Sequence, residues 1–296
     1  PNVAEGQKVV VALVGTEIHM PGKEVFVIGK AKIRGEVSEG MICAEDECGL
    51  GNSHDGILVL PGDAKVGMLA SEYFGIASDV VLEIGLTANR GDAASHLGVA
   101  NDLAALLKKD FQRISHHSVP AKPLGRVVEI VDAELCQRYF ALEFKGLQLG
   151  ESPNFVKNRL RAIGIEPRNN VVDTTNYFLH QTGQPMHAFD ADLVEGGLMV
   201  RLAKENETLE LLDGKTIKLD TQDIVIADNS GAIALAGVMG GMKTAVNAKT
   251  KNVILEVAHF HPTLVRKSAK RHHLHTDAGF RFERGVDVEN MANAAV

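Results

Sequence analysis

Asp173-Thr-Thr-Asn-Tyr-Phe-Leu-His-Gln-Thr-Gly-Gln-Pro-Met-His-Ala-Phe-Asp190 holds a helical segment and an extended one, with the switch between them in its middle. Asn176, His180 and Gln181 sit on a short helical pattern. Gly183 ends it, and Gln184-Pro185 makes an extended turn, because the residue before a proline avoids the helical region. That turn delivers His187 beside Met186 and Phe189, an imidazole on an otherwise apolar lip.

The surrounding sequence is rich in strands. Upstream, residues 126–131 and 138–144 alternate as strands. Ser152 reads as the cap of a helix with Pro153 at its first position. That helix carries Lys157, Arg159, Leu160, Arg161 and Ile163, and Gly164 closes it. Downstream, residues 197–202, 224–227, 232–236 and 252–258 read as strands. The Asp-Gly pair in Glu210-Leu-Leu-Asp-Gly-Lys215 marks a hairpin. Strands outnumber helices and are mostly joined by turns, so the expected class is α+β, not a doubly wound sheet.

Four further motifs bear on chemistry. Gly237-Val-Met-Gly-Gly241 puts three glycines after a strand, which permits close backbone approach to a ligand and equally a plain tight turn. Over residues 252–258, alternation sets Val253, Leu255 and Val257 on one face and Ile254, Glu256 and Ala258 on the other. A carboxylate among apolar neighbours needs a partner: an ion pair with Arg266 or Lys267, or a ligand hydroxyl. Arg266-Lys-Ser-Ala-Lys-Arg-His-His-Leu-His-Thr276 is the one dense basic stretch, and Arg266, Lys267, Lys270 and Arg271 suit RNA phosphates. His272, His273 and His275 raise zinc, but the spacing lacks a second ligand pair and no cysteine is near, so no metal site is expected. Finally, Arg281, Glu283, Arg284 and Asp287 alternate in charge and read as a salt-bridge network. No Gly-x-Ser-x-Gly elbow is present.

The chain has 296 residues, enough for two or three domains, with 45% hydrophobic and 23% charged residues. No apolar run approaches the roughly 20 residues that span a bilayer. No membrane association and no signal peptide are expected. Cys43, Cys48 and Cys136 make no disulfide framework, which fits a reducing, cytoplasmic setting. The net charge of −7 leaves any RNA contact to local basic patches. Pro1 opens directly into a strand pattern, and the run after Glu289 starts a helix without a closing cap. The expectation is an excised piece of a larger protein.

Residues 1–75 show short strands at 8–14, 25–28 and 56–60 with glycine corners, the pattern of a small barrel. Lys30, Lys32 and Arg34 alternate there, and the reading stays open between a solvated edge strand and an RNA contact. In residues 76–119, residues 80–84 read as a strand and 87–92 as a turn. Residues 95–107 read as an amphipathic helix with Leu97, Val99, Leu103, Leu106 and Leu107 on its apolar face. Ser118-Val-Pro-Ala-Lys-Pro123 reads as a linker.

In order and spacing, several runs resemble the editing domain of the bacterial phenylalanyl-tRNA synthetase beta subunit. They are residues 171–190, Glu195-Gly-Gly, Leu211-Leu-Asp-Gly214, 237–241, 252–256 and 271–287. Residues 1–75 look like the inserted tRNA-binding OB-type module of that family, incomplete at its start. Residues 76–119 look like the scaffold segment that follows it, and 120–296 like the editing domain. The fold this implies is a partial OB-type β-barrel, a small strand-helix connector and a larger mixed α/β domain.

The resemblance implies hydrolysis of tyrosine wrongly esterified to the phenylalanine tRNA. It places His187, Asn176, Gly240, Glu256, Thr276 and Ala278 at the pocket. Glu256 would meet the tyrosine hydroxyl, and Gly240 and Ala278 would leave room for the ring. His187 would orient water or the terminal ribose, with Asn176 and Thr276 as polar partners. Lys30, Lys32, Arg34 and the basic stretch would contact the tRNA. The implied partners are that tRNA and the alpha chains of an α2β2 enzyme. ATP and magnesium would be bound outside this chain, which would need no cofactor. A non-catalytic tRNA-binding platform and a metal-dependent hydrolase are the alternatives.

Overall fold

The computed structural model describes residues 2–20, 22–51, 53–76, 80–111 and 124–286. The expected linker over 118–123, the run after Glu289 and the charge of Asp287 lie outside the described residues. The chain divides into two compact units, Pro1–Asp79 and Val80–Val296. The architecture is mixed α/β, with sheets and helices interleaved along the chain.

The first unit consists of β1 (Lys8–Val9), β2 (Val11–Leu13), β3 (Glu17–Ile18), β4 (Phe26–Val27), β5 (Ala31–Ile33), β6 (Glu36–Ser38), β7 (Gly40–Ile42), β8 (Val59–Leu60) and α1 (Ala70–Tyr73). The strands pair antiparallel as β1 with β8, β2 with β7, β3 with β4 and β5 with β6. Among the described residues these four ladders do not join into a closed barrel. Ala12, Ile18, Ile28 and Cys43 form a small core. The strand expected over 8–14 is not fully buried: it breaks at Val10, and in β2 only Ala12 is covered while Val11 and Leu13 face out. A run of valines supplies apolar side chains on both faces, but here only one face has something to pack against.

The second unit opens with a correction. No strand forms over residues 80–84, and Val80, Val81 and Leu82 are exposed. An apolar run becomes a strand only where a neighbour ladders with it, and no described strand does so. α2 (His96–Leu107) follows, its N-cap Ser95 accepting from the Gly98 amide. Its expected apolar face is only partly used: Leu97 and Val99 are half-buried, but Leu103, Leu106 and Leu107 are exposed. Periodicity sets the face of a helix and says nothing of what covers it.

Beyond lie β9 (Val128–Ile130), β10 (Cys136–Phe144), α3 (Asn154–Ala162), α4 (Asn170–Thr182), β11 (Met186–Asp190), β12 (Leu198–Leu202), β13 (Thr208–Glu210), β14 (Thr216–Lys218), β15 (Ile224–Asp228), β16 (Gly231–Leu235), β17 (Met239–Gly240), β18 (Val253–Phe260), α5 (Pro262–Arg271) and α6 (Asp277–Phe282). An antiparallel sheet runs in the order β10-β18-β11, and a five-stranded sheet in the order β17-β16-β15-β12-β9, with only β9–β12 parallel. β13 and β14 form the Asp-Gly hairpin, with Gly214 at φ 82°. One core takes side chains from both sheets and from α5 and α6, among them Phe189, Val200, Ile226, Ile254, Val265 and Phe282.

The helices differ from expectation in one cap. Pro153, not Ser152, holds the N-cap position of α3. Ser152 instead donates its hydroxyl to Asp173 at 2.5 Å, because that fully buried carboxylate needs donors, and the Arg168 amide supplies another at 2.7 Å. Asn169 caps α4, and Gly183 ends it in the left-handed region at φ 81°. β11 follows within three residues, and so the switch read from Gly183-Gln-Pro185 positions His187.

Candidate active site

The central strand β18 sets the site. Its register puts Glu256 directly between Ala141 of β10 and His187 of β11. Ile254, Ala258 and Phe260 share the Glu256 face and belong to the core, as alternation requires. Over this face lies a cavity of about 180 Å³, bordered by His187, Gly240, Glu256, Ala278, Phe260 and Phe282. It is smaller than the roughly 300–1,000 Å³ of a drug-sized site and suits a single side chain. A larger open hollow of about 540 Å³ near Arg126, Glu143 and Lys145 has no such character. Its Arg126 guanidinium is already spent on the carbonyls of Ala191, Val194 and Gly196.

Glu256 is 5% exposed, and its Oε1 is sealed without a hydrogen-bond partner. The ion pair with Arg266 or Lys267 does not form: both cations are exposed on α5, and Oε1 of Glu256 has no partner. Burial without a compensating charge pushes the carboxyl up to about 8. Glu256 therefore carries its proton at neutral pH and can donate a hydrogen bond as well as accept one. His187 is half-buried, but its Nε2 is sealed and unpartnered. Burial lowers its imidazole to about 4, so it is neutral at pH 7. Its ring meets Phe189 edge-on at 4.6 Å. No hydrogen bond or ion pair joins His187 to Glu256, although they stand side by side. A cavity bordered by aromatic rings and two neutral, unpaired polar groups is chemically suited to a ligand with both apolar surface and hydroxyl or amide functions.

The remaining pocket candidates divide. Gly240 and Ala278 border the cavity. A Cβ on Gly240 would collide with the His187 ring, 2.6 Å from Nε2, so glycine there makes room for the imidazole itself. Thr276 caps α6 by accepting from the Gly279 amide and donates to the Val238 carbonyl, a cavity-wall residue. Asn176 is half-buried on α4 and does not border the cavity. Phe260 and Phe282 also wall the cavity, and no motif in the sequence marks them.

The basic residues are placed less uniformly than their spacing suggests. Lys30, Lys32 and Arg34 do not share a strand face. Arg34 at φ 52° and Gly35 at φ 95° form the two-residue turn between β5 and β6, and Lys30 is paired with Glu39. A turn with two positive φ angles is the geometry that a tight hairpin demands, so Arg34 leaves the strand. Arg266, Lys267 and Lys270 point outward on α5. Arg271 is instead bound to Asp223, together with Ser268 and His272, whose Nε2 lies 2.6 Å from that carboxylate. His272 is thus committed to Asp223, and among the described residues no cluster of three or more His, Cys, Asp or Glu is arranged to hold a metal ion. Of the expected charge network, Arg281 pairs with Asp277 and Arg284 with Glu283.

The profile of the B3/4 domain matches residues 135–296, and that of the "Putative tRNA binding domain" matches residues 1–69. A phenylalanine–tRNA ligase beta subunit of Bacteroides fragilis is 49% identical over 295 residues, covering 97% of this chain and 36% of that protein. Those of Porphyromonas gingivalis and Salinibacter ruber are 48% and 43% identical, covering 98% and 100% of this chain and 36% and 37% of theirs. The chain thus spans just over a third of the length of these curated relatives. A solved N-terminal fragment of the phenylalanyl-tRNA synthetase beta subunit from Pyrococcus horikoshii is 16% identical at a TM-score of 0.37, over 58% of this chain and 53% of that one, too slight a likeness to bear on the fold. Within the second unit, the domain profile covers the strands, the glycine turn and the helix that build the cavity, and by that match the chain belongs to the B3/4 domain family.

Proposed function

We propose that this chain is the proofreading part of a phenylalanine–tRNA ligase beta subunit, and that its cavity hydrolyses tyrosine mischarged onto the phenylalanine tRNA. The observation that carries the reading is the unpartnered, buried Glu256 at the wall of an apolar cavity of side-chain size. The names of the relatives supply the tRNA and the amino acid. A phenylalanine pocket cannot strongly reject an isostere that only adds a hydroxyl, whereas a second site that requires the hydroxyl can, by about four to five powers of ten in favourable cases.

In this reading Glu256 hydrogen-bonds the tyrosine hydroxyl, and Ala278, Phe260 and Phe282 hold the ring. His187 acts at the ester end, where its neutral imidazole orients water or the terminal ribose. Glu256 and His187 are neighbours in register, and both border the cavity. Thr276 and Asn176 support the site through α6 and α4. An aminoacyl ester is already activated, so positioning and charge stabilisation suffice without a strong base. Residues 1–75 form the tRNA-binding module and 76–119 the scaffold between it and the editing domain at 120–296. Lys30, Lys32, Arg34, Arg266, Lys267 and Lys270 contact the tRNA, with Arg271 tied to Asp223 at the edge of that patch. Alpha chains, ATP and magnesium act outside this chain.

The test is incubation of the chain with tyrosylated and phenylalanylated forms of the phenylalanine tRNA. Release of tyrosine well above the phenylalanine control is expected. Equal, background release of both would overturn the reading and favour a non-catalytic platform.

A further inference from the structure

Glu256 and His187 are not the only polar groups left without a partner on this face. The hydroxyl of Tyr139 is also sealed and unpartnered, in a residue that is half-buried as a whole. In the β10–β18 register Tyr139 lies opposite Ala258, two residues along β18 from Glu256. It packs on the same core as Ala141, Ile254 and Ala258, so it shares the Glu256 face. Its ring meets Phe260 edge-on at 6.5 Å, and Phe260 borders the cavity. Tyr139 and Glu256 are thus diagonal cross-strand neighbours, a separation that two long side chains can bridge.

Chemistry narrows what these two groups can do. Burial holds the phenol well above its ordinary value of 10, so it keeps its proton and remains a donor. The sealed Oε1 of Glu256 is an acceptor without a donor. Two of its neighbours offer it no donor. The Cys136 thiol donates to the Arg138 carbonyl at 3.1 Å, and Ala141 has no polar group. Nε2 of His187 is unpartnered as well, but that edge of the ring faces Gly240, and the proposed function assigns it to the ester end.

We infer that Tyr139 is a positioning residue for hydroxyl recognition: its phenol donates to Oε1 of Glu256 when ligand is bound, fixing the carboxyl so that Oε2 meets the ligand hydroxyl. The inference rests on the proposed editing function, in which Glu256 reads that hydroxyl. A fixed carboxyl discriminates better than a mobile one, because the ligand need not order it on binding. Tyr139 acts through Glu256 and touches neither the ring nor the ester.

The test is Tyr139→Phe, which removes one oxygen and keeps the packing. Binding of two non-hydrolysable probes would be measured by calorimetry: 3′-amino-3′-deoxyadenosine acylated with tyrosine or with phenylalanine. Wild type is expected to prefer the tyrosyl probe. Tyr139→Phe should lose roughly three- to tenfold of that preference, with the phenylalanyl affinity unchanged, as expected for one hydrogen bond. In the Glu256→Ala background the same change should have no further effect, since coupled residues are not additive. Equal weakening of both probes, an unchanged preference, or an additive double variant would overturn the inference while leaving the editing reading intact. A wild type without tyrosyl preference in binding and in deacylation would overturn both.

Discussion

Two buried carboxylates lie in the same unit and are treated in opposite ways. Asp223 is 0% exposed and receives hydrogen bonds from Ser268 at 2.7 Å, from Arg271, from His272 and from the Asp220 amide at 2.8 Å. Burial alone would raise its pKa, but the bonds from His272, the Asp220 backbone and Ser268 outweigh it and hold the group below its ordinary value. Glu256 is almost as buried and receives nothing, so burial drives it up to about 8. The first group clasps α5 to the segment leading into β15. The second stores an unmet demand for a hydrogen bond beside a cavity. Burial of an acid therefore does not distinguish structure from function; whether its partners are present does.

The clasp should give the largest effect. Asp223→Ala leaves Arg271 and His272 without their carboxylate and is expected to cost about 3–5 kcal/mol in urea unfolding, the usual scale for breaking a buried pair. A loss below about 1 kcal/mol would show the two acids to be alike. The pH dependence should be opposite in sign at the two sites. The folded pKa of Asp223 is depressed, so its contribution is present above the unfolded value near 3.9 and is lost as pH falls through the folded value. The folded pKa of Glu256 is raised, so the stability of its neutral form is present below about 4.3 and is lost as pH rises through about 8. Glu256→Gln should therefore gain about 2–4 kcal/mol on wild type between pH 5 and pH 8. His187, lowered to about 4, loses stability in the other direction as pH falls from 6.5, and the comparison cancels it because both proteins keep it. Parallel pH profiles for wild type and Glu256→Gln would mean that Glu256 has a partner after all.

Gly240→Ala is the smaller structural probe. Its methyl group would press on the His187 ring and is expected to destabilise by about 1–3 kcal/mol, as overpacking does, and to slow release of both amino acids together. Recovery of stability in Gly240→Ala combined with His187→Ala would locate the strain at the imidazole. Full stability of the single variant would show that the ring moves freely.

How much of this was readable in the sequence depends on the range of the interaction. The switch at Gly183 and the alternation around Glu256 are local, and both formed as read. The strand over 80–84 and the outer half of the α2 face did not, because each needs a covering partner that no local pattern specifies. Arg34 failed for a different reason: alternation was followed through a turn that Gly35 already signalled. The basic spacing of 266–272 does not show that Arg271 and His272 both bind Asp223, some fifty positions earlier. The pairing of Tyr139 with Ala258 is likewise a matter of register across the fold.

The most direct test of the unmet hydrogen bond is single-turnover deacylation of tyrosyl and phenylalanyl esters of the phenylalanine tRNA by wild type and Glu256→Ala, with folding checked by thermal melts. Without Glu256 the tyrosine hydroxyl would be buried unpaired, a loss of about 1–3 kcal/mol, so the preference for the tyrosyl ester should fall by roughly one to two powers of ten. Release of phenylalanine should stay low. If Glu256→Ala slows both esters equally and their ratio survives, the carboxyl does not read the hydroxyl and the account fails.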